Sequence, residues 1–228
     1  MFIGHFALAF GAKRAAPSVS LGLLFVACEL ADLVWPTLVL LGYERVVVRP
    51  GTTVVTPLDF VSYPYSHSLL TLCILAIALG GIAVAWRRAP VAAGVTLALL
   101  VVSHWPLDVL THRPDMPLLP VGDTRVGLGL WNSFWGTFAV EFAMFAIGLA
   151  IYLRTTRAKS RAGVIVFWSL VAFLLITYVG NLFGPPPPSA AIVAWSAQGI
   201  WLLSAWAWWA DRLRTVDGNS RSEGGRLH

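Results

Sequence analysis

Charged residues are scarce in this chain of 228 residues. They make up 12% of the sequence, against about 25% in an ordinary soluble domain. Only two cysteines are present, which excludes a disulfide-stabilised secreted scaffold. Apolar residues reach 57%, which excludes a disordered chain and exceeds what a soluble protein of this length buries. The scarcity of charge and the excess of apolar residues together predict an integral membrane protein.

Long apolar runs occupy the places where charge is missing. A hydrocarbon core of about 30 Å requires about 20 helical residues, and five runs reach that length. A sixth is rich in tryptophan, and the opening MFIGHFALAFGA is a short helix, either tilted or half-inserted. The sequence predicts an all-α, multi-pass bundle of about six to seven membrane helices. The six longer runs are 18–42, 66–86, 90–108, 133–153, 162–183 and 189–210.

Two connections between these runs are too long to be simple turns. Residues 43–65 contain two β-branched stretches around a Pro-Gly pair, which predict a small hairpin. Residues 109–132 are rich in proline and glycine and could lie over the bundle as a lid. We expect three regions: the bundle with these loops over 1–155, two further membrane helices over 156–211, and a disordered tail over 212–228.

The basic residues predict how the chain is oriented. Twelve of the sixteen Lys and Arg residues fall in alternate connections and in the C-terminal tail. The positive-inside rule places these in the cytoplasm, so we expect an extracytoplasmic N-terminus and a cytoplasmic C-terminus in a plasma (bacterial inner) membrane. The net charge of +5 is therefore explained by basic residues that orient the chain and contact anionic lipids. We predict the lipid bilayer as the partner and no nucleic acid.

Ionisable residues inside the apolar runs are the candidate functional groups, because burying them in a membrane is costly. With the predicted orientation and about 1.5 Å of rise per residue, they converge on the outer half of the bundle from five separate elements. Glu29 and Asp32 share one helix face. His104, Asp108 and His112 form one stripe if the helix continues, although Pro106 weakens that continuation. The remaining candidates are His5, His67 and Glu141.

Mixed histidine and carboxylate ligands suit Zn²⁺ or another borderline divalent metal. A cation also relieves the repulsion between close carboxylates and activates water as a nucleophile. We predict that His5, Asp32, His67, His104, Asp108 and His112 bind metal. Glu29 and Glu141 are then further ligands or general bases. Simpler interpretations stay open: each histidine as a packing residue, each glutamate as an interhelical hydrogen-bonding group, and His112 and Asp115 as ordinary loop residues.

Three strings carry a resemblance to a known family: MFIGHFALAFGAKR, YPYSHSLL and SHWPLDVLTHRPDMPL. They resemble the YdjM-like family of predicted inner-membrane metal-dependent hydrolases over roughly residues 1–155. The last two helices add no motif of this kind. The resemblance implies a membrane-embedded metal-dependent hydrolase.

A more distant similarity concerns the order of the ligands. Zinc-dependent phospholipases C and related single-strand nucleases use an early His, an Asp, a His and then His-x-x-x-Asp. The same order runs through His5, Asp32, His67, His104 and Asp108. The later His-x-x-x-Glu of those enzymes is missing here, because Thr stands four residues before Glu141. This departure favours one or two metal ions over three.

The sequence therefore predicts a hydrolase of a phosphoester or ester in a lipid or amphiphile, with its site facing the extracytoplasmic side. The main alternative is a proton- or cation-coupled transporter or channel that uses the same buried groups. The absence of an evident internal repeat in the sequence counts against it. Bis-histidine haem ligation and a purely structural or partner-binding role also remain open.

Overall fold

The computed structural model describes residues 1–86 and 88–217, and almost all of its regular structure is helical. The predicted all-α membrane bundle is confirmed. The helices are α1 (Ile3–Ala12), α2 (Leu21–Cys28), α3 (Leu30–Leu40), α4 (Pro64–His67), α5 (Leu69–Ala85), α6 (Val91–Thr111), α7 (Phe134–Thr155), α8 (Arg161–Phe183), α9 (Ala190–Ala197) and α10 (Gly199–Arg212).

The predicted count of six to seven membrane helices is not confirmed. Among the described residues, four helical segments are long and apolar enough to cross a membrane, or five if the bent pair α2 and α3 forms one span. The difference comes from α1 and α5, which have 10 and 17 residues. At 1.5 Å per residue they extend about 15 and about 26 Å, less than a hydrocarbon core of about 30 Å.

The expected single helix over 18–42 is broken at Glu29, and its two halves meet at a bend of 58°. Glu29 has φ −103° and ψ 10°, outside the helical range. Helical hydrogen bonds continue past it from Glu29 N to Phe25 O and from Leu33 N to Glu29 O. The carbonyl of Cys28 instead accepts a hydrogen bond from His104 Nδ1 at 2.8 Å. The break thus supplies a backbone acceptor to a side chain of another helix.

Helix α6 passes through Pro106 and ends only at Thr111, so the expected weakening of the helix is wrong. Proline removes one backbone donor, but the neighbouring turns remain helical here. His104 and Asp108 therefore lie on one buried face, and His112 follows directly at the C-terminal cap.

The hairpin predicted within residues 43–65 is confirmed. Strand β1 (Arg45–Val48) pairs antiparallel with β2 (Leu58–Ser62). Residues 109–132 carry a second short pair, β3 (Met116–Pro117) with β4 (Arg125–Val126). The two loops contact each other, since Val55 N donates to Trp131 O at 3.1 Å. Together they cover one end of the bundle.

Helix α1 lies at the centre of the bundle, and most of its residues are buried. The ring of Phe10 packs edge-on against Phe25, Phe145, Tyr152 and Phe167. These contacts come from α2, α7 and α8, so helices on both sides of residue 155 share one core. The division of the chain at residue 155 stays a prediction.

The opposite end of the bundle carries ordered basic residues. Lys13 Nζ lies 2.7 Å from Asp211 Oδ2 in a buried pair. Strand β5 (Thr156–Ala158) pairs with β6 (Arg214–Val216). Residues 212–217, assigned to a disordered tail by their polarity, are therefore ordered through this pairing. The rest of the predicted tail, 218–228, lies outside the described residues.

Candidate metal centre

Asp108 is the centre of a buried group of histidines. Its Oδ1 lies 3.0 Å from His5 Nε2, and its Oδ2 lies 3.2 Å from His104 Nε2. The Nε2 atoms of His67 and His112 each approach Oδ2 to 3.9 Å. Four imidazoles, carried by α1, α4 and α6 with its C-terminal cap, thus face one carboxylate. The amino group of Met1 also donates to Oδ1 at 2.6 Å.

Asp32 forms the second acidic position. Its Oδ1 lies 3.3 Å from His67 Nε2, and its Oδ2 lies 3.9 Å from His104 Nε2. Two overlapping ligand groups result, each with its ligand atoms within 4.8 Å of one another, and His104 belongs to both. The side chain of Asp32 is 29% exposed, whereas those of His67 and His104 are 4% and 0% exposed. Asp32 therefore marks the open edge of the cluster.

The hydrogen bond made by Nδ1 of His104 determines whether its Nε2 carries a proton. A backbone carbonyl only accepts hydrogen bonds, so Nδ1 of His104 must carry the proton that it donates to Cys28 O. In a neutral ring, Nε2 then holds a lone pair. This buried Nε2 has no hydrogen bond of good geometry among the described residues, although Asp108 Oδ2 is 3.2 Å away. A lone pair facing a carboxylate is the arrangement that a cation stabilises.

His67 is oriented by a short chain of hydrogen bonds that begins at Glu44. The Ser66 hydroxyl donates to Glu44 Oε2 at 2.7 Å, and the backbone N–H groups of Tyr65 and Ser66 donate to Oε1. The single hydroxyl proton is thereby used, so Ser66 Oγ accepts from His67 Nδ1 at 2.7 Å. His67 Nε2 is left as an acceptor facing Asp32. Metal-binding histidines are oriented in this way by their second nitrogen.

The two glutamates predicted as bases lie at different places. Glu141 Oε2 accepts from Phe2 N at 2.9 Å and Gly4 N at 3.2 Å, so it caps the start of the helix that carries His5. Glu29 is buried at the break between α2 and α3, where its Oε1 lies 4.0 Å from Cys28 Sγ. No hydrogen bond joins Glu29 to the histidines or to Asp32 and Asp108 among the described residues. Their catalytic roles stay predictions.

Comparison with known families decides the affiliation of the chain. A family model described as YdjM inner membrane protein matches residues 3–183. The chain belongs to the YdjM inner membrane protein family. No curated protein and no solved structure matches it.

The YdjM match is longer than the resemblance over 1–155, because it continues through α8. It contains both ligand groups and both glutamates. The family description establishes an inner membrane protein and names neither a reaction nor a metal. The hydrolase part of the resemblance therefore depends on the site itself.

Around the centre of this YdjM protein, His112 is held by residues of the two long loops. Its Nδ1 lies 3.0 Å from Asp115 Oδ1, which also accepts from Tyr63 Oη at 2.6 Å. Burial would raise the pKa of Asp115, but the hydrogen bonds from His112, Tyr63 and Arg113 outweigh it and lower that pKa. An ionised Asp115 only accepts, so His112 also donates through Nδ1 and turns Nε2 towards Asp108.

Tyr63 and Arg113 complete this outer layer. Burial, together with the charge of Asp115, raises the pKa of the Tyr63 phenol well above its ordinary value, so it remains a donor. Arg113 pairs with Asp115 at 3.1 Å and with Asp59. Asp59, on strand β2, is buried and also pairs with Arg49 at 2.7 Å.

The structure thus brings together all six residues that the YdjM sequence offers as metal ligands. Sequence reasoning missed Glu44, Tyr63 and the carbonyl of Cys28. Ser66 was visible only as part of a Ser-His-Ser motif. No local pattern separates Glu44 from an exposed loop acid, because its partners lie more than 20 residues away in sequence.

Proposed function

We propose that this protein is a membrane-embedded metal-dependent hydrolase that cleaves a phosphoester or ester in a lipid or amphiphile. One observation carries the proposal. His67, His104 and His112 each commit Nδ1 to an acceptor outside the cluster and direct Nε2 towards shared carboxylates. Packing or isolated hydrogen bonding requires no such common orientation, whereas metal binding does.

The donor set fits one or two divalent ions, with Zn²⁺ favoured by imidazole and carboxylate ligands. His5, His104 and Asp108 would hold one ion, or Asp32, His67 and His104 would hold it. Because Nδ1 of His104 donates to Cys28 O, its single Nε2 lone pair serves only one ion, and a second ion would be held without His104. His112, whose Nε2 faces Asp108 Oδ2 at 3.9 Å, would offer a further ligand atom. When bound, such an ion supplies Lewis-acid activation of water and of the scissile ester.

The chain's own residues account for access and proton handling. Asp32 lies at the open edge, so water and the reacting group of a substrate approach on that side. Glu29 lies at the break between α2 and α3, three residues before Asp32, and its carboxyl group has no hydrogen bond to the histidines among the described residues. We assign it the role of general base. Glu141 keeps α1, and with it His5, in place.

The distribution of charge supports a site on the extracytoplasmic side. His5 lies near the start of α1, and Lys13 follows directly after its end, where it pairs with Asp211. Strands β5 and β6 join two further basic segments at that same end. The cluster and the basic end are thus at opposite ends of α1. With the basic end in the cytoplasm, the cluster faces outwards.

Metal analysis of the detergent-purified protein tests this proposal. We expect a stoichiometric divalent ion in the wild type after metal loading, and its loss in the Asp108→Asn variant. The loaded protein is then assayed for hydrolysis of phosphodiester and carboxylic-ester lipids in mixed micelles. Absence of stoichiometric metal in every metal-replete preparation would contradict the proposal.

A transporter or channel is the second candidate, and the 58° break at Glu29 favours it specifically. Transporters use broken membrane helices to place backbone groups and carboxylates at a substrate site. The one-sided position of the polar cluster argues against a path through the whole membrane. Proton or cation flux into proteoliposomes that is lost on Asp32→Asn, without any hydrolysis, would support this alternative.

A further inference from the structure

A groove of ≈ 460 Å³ runs along one side of the bundle next to the cluster. Helix α1 forms its floor, and α6 and α7 form its walls. Its rim includes Leu99 and Ile147, which are 63% and 62% exposed. Both belong to helices long and apolar enough to span the membrane. The groove is therefore continuous with the surface that faces the lipid tails.

The lining of the groove offers no free polar group. Apart from Thr96 and Ser103, every lining residue is apolar or glycine. The Thr96 hydroxyl donates to Ala92 O at 2.8 Å, and the Ser103 hydroxyl donates to Leu100 O at 2.7 Å. Since both donors are used within their own helix, a polar occupant would lose its hydrogen bonds to water without replacement. An apolar chain loses none.

One end of the groove lies beside the metal centre. Leu8 is three residues from His5 on α1, and Leu100 is four residues from His104 on α6, so each lies on the same side of its helix one turn away. The rings of His5 and His104 stack with centroids 3.9 Å apart. Along the helix axes, the groove thus begins about one helical turn, or about 5 Å, from the residues that carry these rings.

We propose that this groove holds one acyl chain of a bilayer phospholipid and directs its ester or phosphoester group to the cluster. The inference rests on the proposed function and narrows its substrate to a bilayer phospholipid that enters sideways from the membrane. Lateral entry suits a bilayer lipid, because its tail never leaves an apolar environment.

Glycine positions offer a direct way to fill the groove. A Cβ at Gly11 meets only Ile151 Cδ1 at 3.8 Å, which is ordinary contact, so a larger side chain enters the groove without a backbone clash. Gly180 on α8 is exposed and has no atom within 4 Å of such a Cβ, which makes it the matched control. Gly11→Phe and Gly180→Phe thus add the same side chain inside and outside the groove.

Photo-crosslinking in proteoliposomes tests the groove. The vesicles contain phosphatidylethanolamine, phosphatidylglycerol and a small share of phosphatidylglycerol with a diazirine in one acyl chain. We expect labelling concentrated on the facing parts of α1, α6 and α7. Gly11→Phe should reduce it several-fold, Ile147→Trp at the rim should act in the same direction, and Gly180→Phe should leave it unchanged.

The results that overturn the inference are equally definite. Even labelling of all lipid-facing helices, unaffected by Gly11→Phe and Ile147→Trp, would exclude a lipid site, as would crosslinks between two copies of the chain through this groove. Metal content is measured on the same samples. Labelling of the groove without any bound metal would contradict the proposed hydrolase but support the lipid site. Bound metal with even labelling would contradict only the lipid site.

Discussion

The imidazole rings of His5 and His104 lie face to face, with centroids 3.9 Å apart and planes within 1° of parallel. One ring comes from the central short helix α1 and the other from the membrane-spanning α6. Both direct a nitrogen to opposite oxygens of Asp108. The stacking makes the position of α1 part of the site, so that the packing of the bundle and the geometry of the cluster depend on each other.

Asp108→Asn should abolish stoichiometric metal binding. The amide keeps the size of the carboxylate but removes the charge that four imidazoles face, and it replaces one acceptor oxygen by a donor. Metal content by inductively coupled plasma mass spectrometry and affinity by chelator competition measure the effect. Asp123→Asn, on an exposed loop acid, is the control and should match the wild type. Equal metal content in both variants would contradict the assignment of Asp108.

Glu44→Gln should weaken metal binding by about 10- to 100-fold, the range found for residues that orient metal ligands. Glutamine can donate to Ser66 Oγ, which then turns its own proton towards His67 Nδ1 and changes the tautomer of His67. Competition with a chelator measures the affinity. Ser66→Ala, which removes the connecting hydroxyl, should give a similar loss. A metal affinity that stays at the wild-type value while thermal stability falls would show a purely structural role for Glu44.

Gly148→Leu should destabilise the bundle strongly, because a Cβ at this position would lie 2.1 Å from Ala7 O. The backbones of α1 and α7 touch there, and overpacking of this kind costs about 1–3 kcal/mol or more. Thermal unfolding followed by size-exclusion chromatography in detergent measures the loss. Gly180→Leu, which adds the same side chain in open space, should leave the midpoint nearly unchanged.

Asp211→Asn should lower stability far more than Asp217→Asn. Asp211 accepts from buried Lys13, from Leu21 N and from Tyr152 Oη. Removing its charge leaves Lys13 without a counterion, and breaking a buried pair costs about 3–5 kcal/mol. Asp217 pairs with Arg157 at the surface, where such pairs contribute about 0–1 kcal/mol. Equal shifts in the unfolding midpoint would show that burial of the Lys13 pair is unimportant.

Composition and spacing predict much of this fold. Apolar runs predict the ends of α6, α7 and α8 to within three residues, because a membrane helix must satisfy its backbone internally. The spacing of four between His104 and Asp108 predicts their shared face. The same local rules fail at Glu29, where the bend depends on the acceptor that Cys28 offers to His104. Glu44 was missed for the same reason, since its partners come from beyond the hairpin.

The short length of α1 has a consequence for how the protein is made. At about 15 Å, this helix covers about half of a hydrocarbon core, so insertion of single helices into the bilayer does not place it. Its position comes from packing against α2 and α7 and from the anchoring of Lys13 by Asp211. His5 therefore joins the cluster only after the surrounding helices have assembled. If the cluster binds metal as proposed, metal retained during purification would report that the whole bundle has formed.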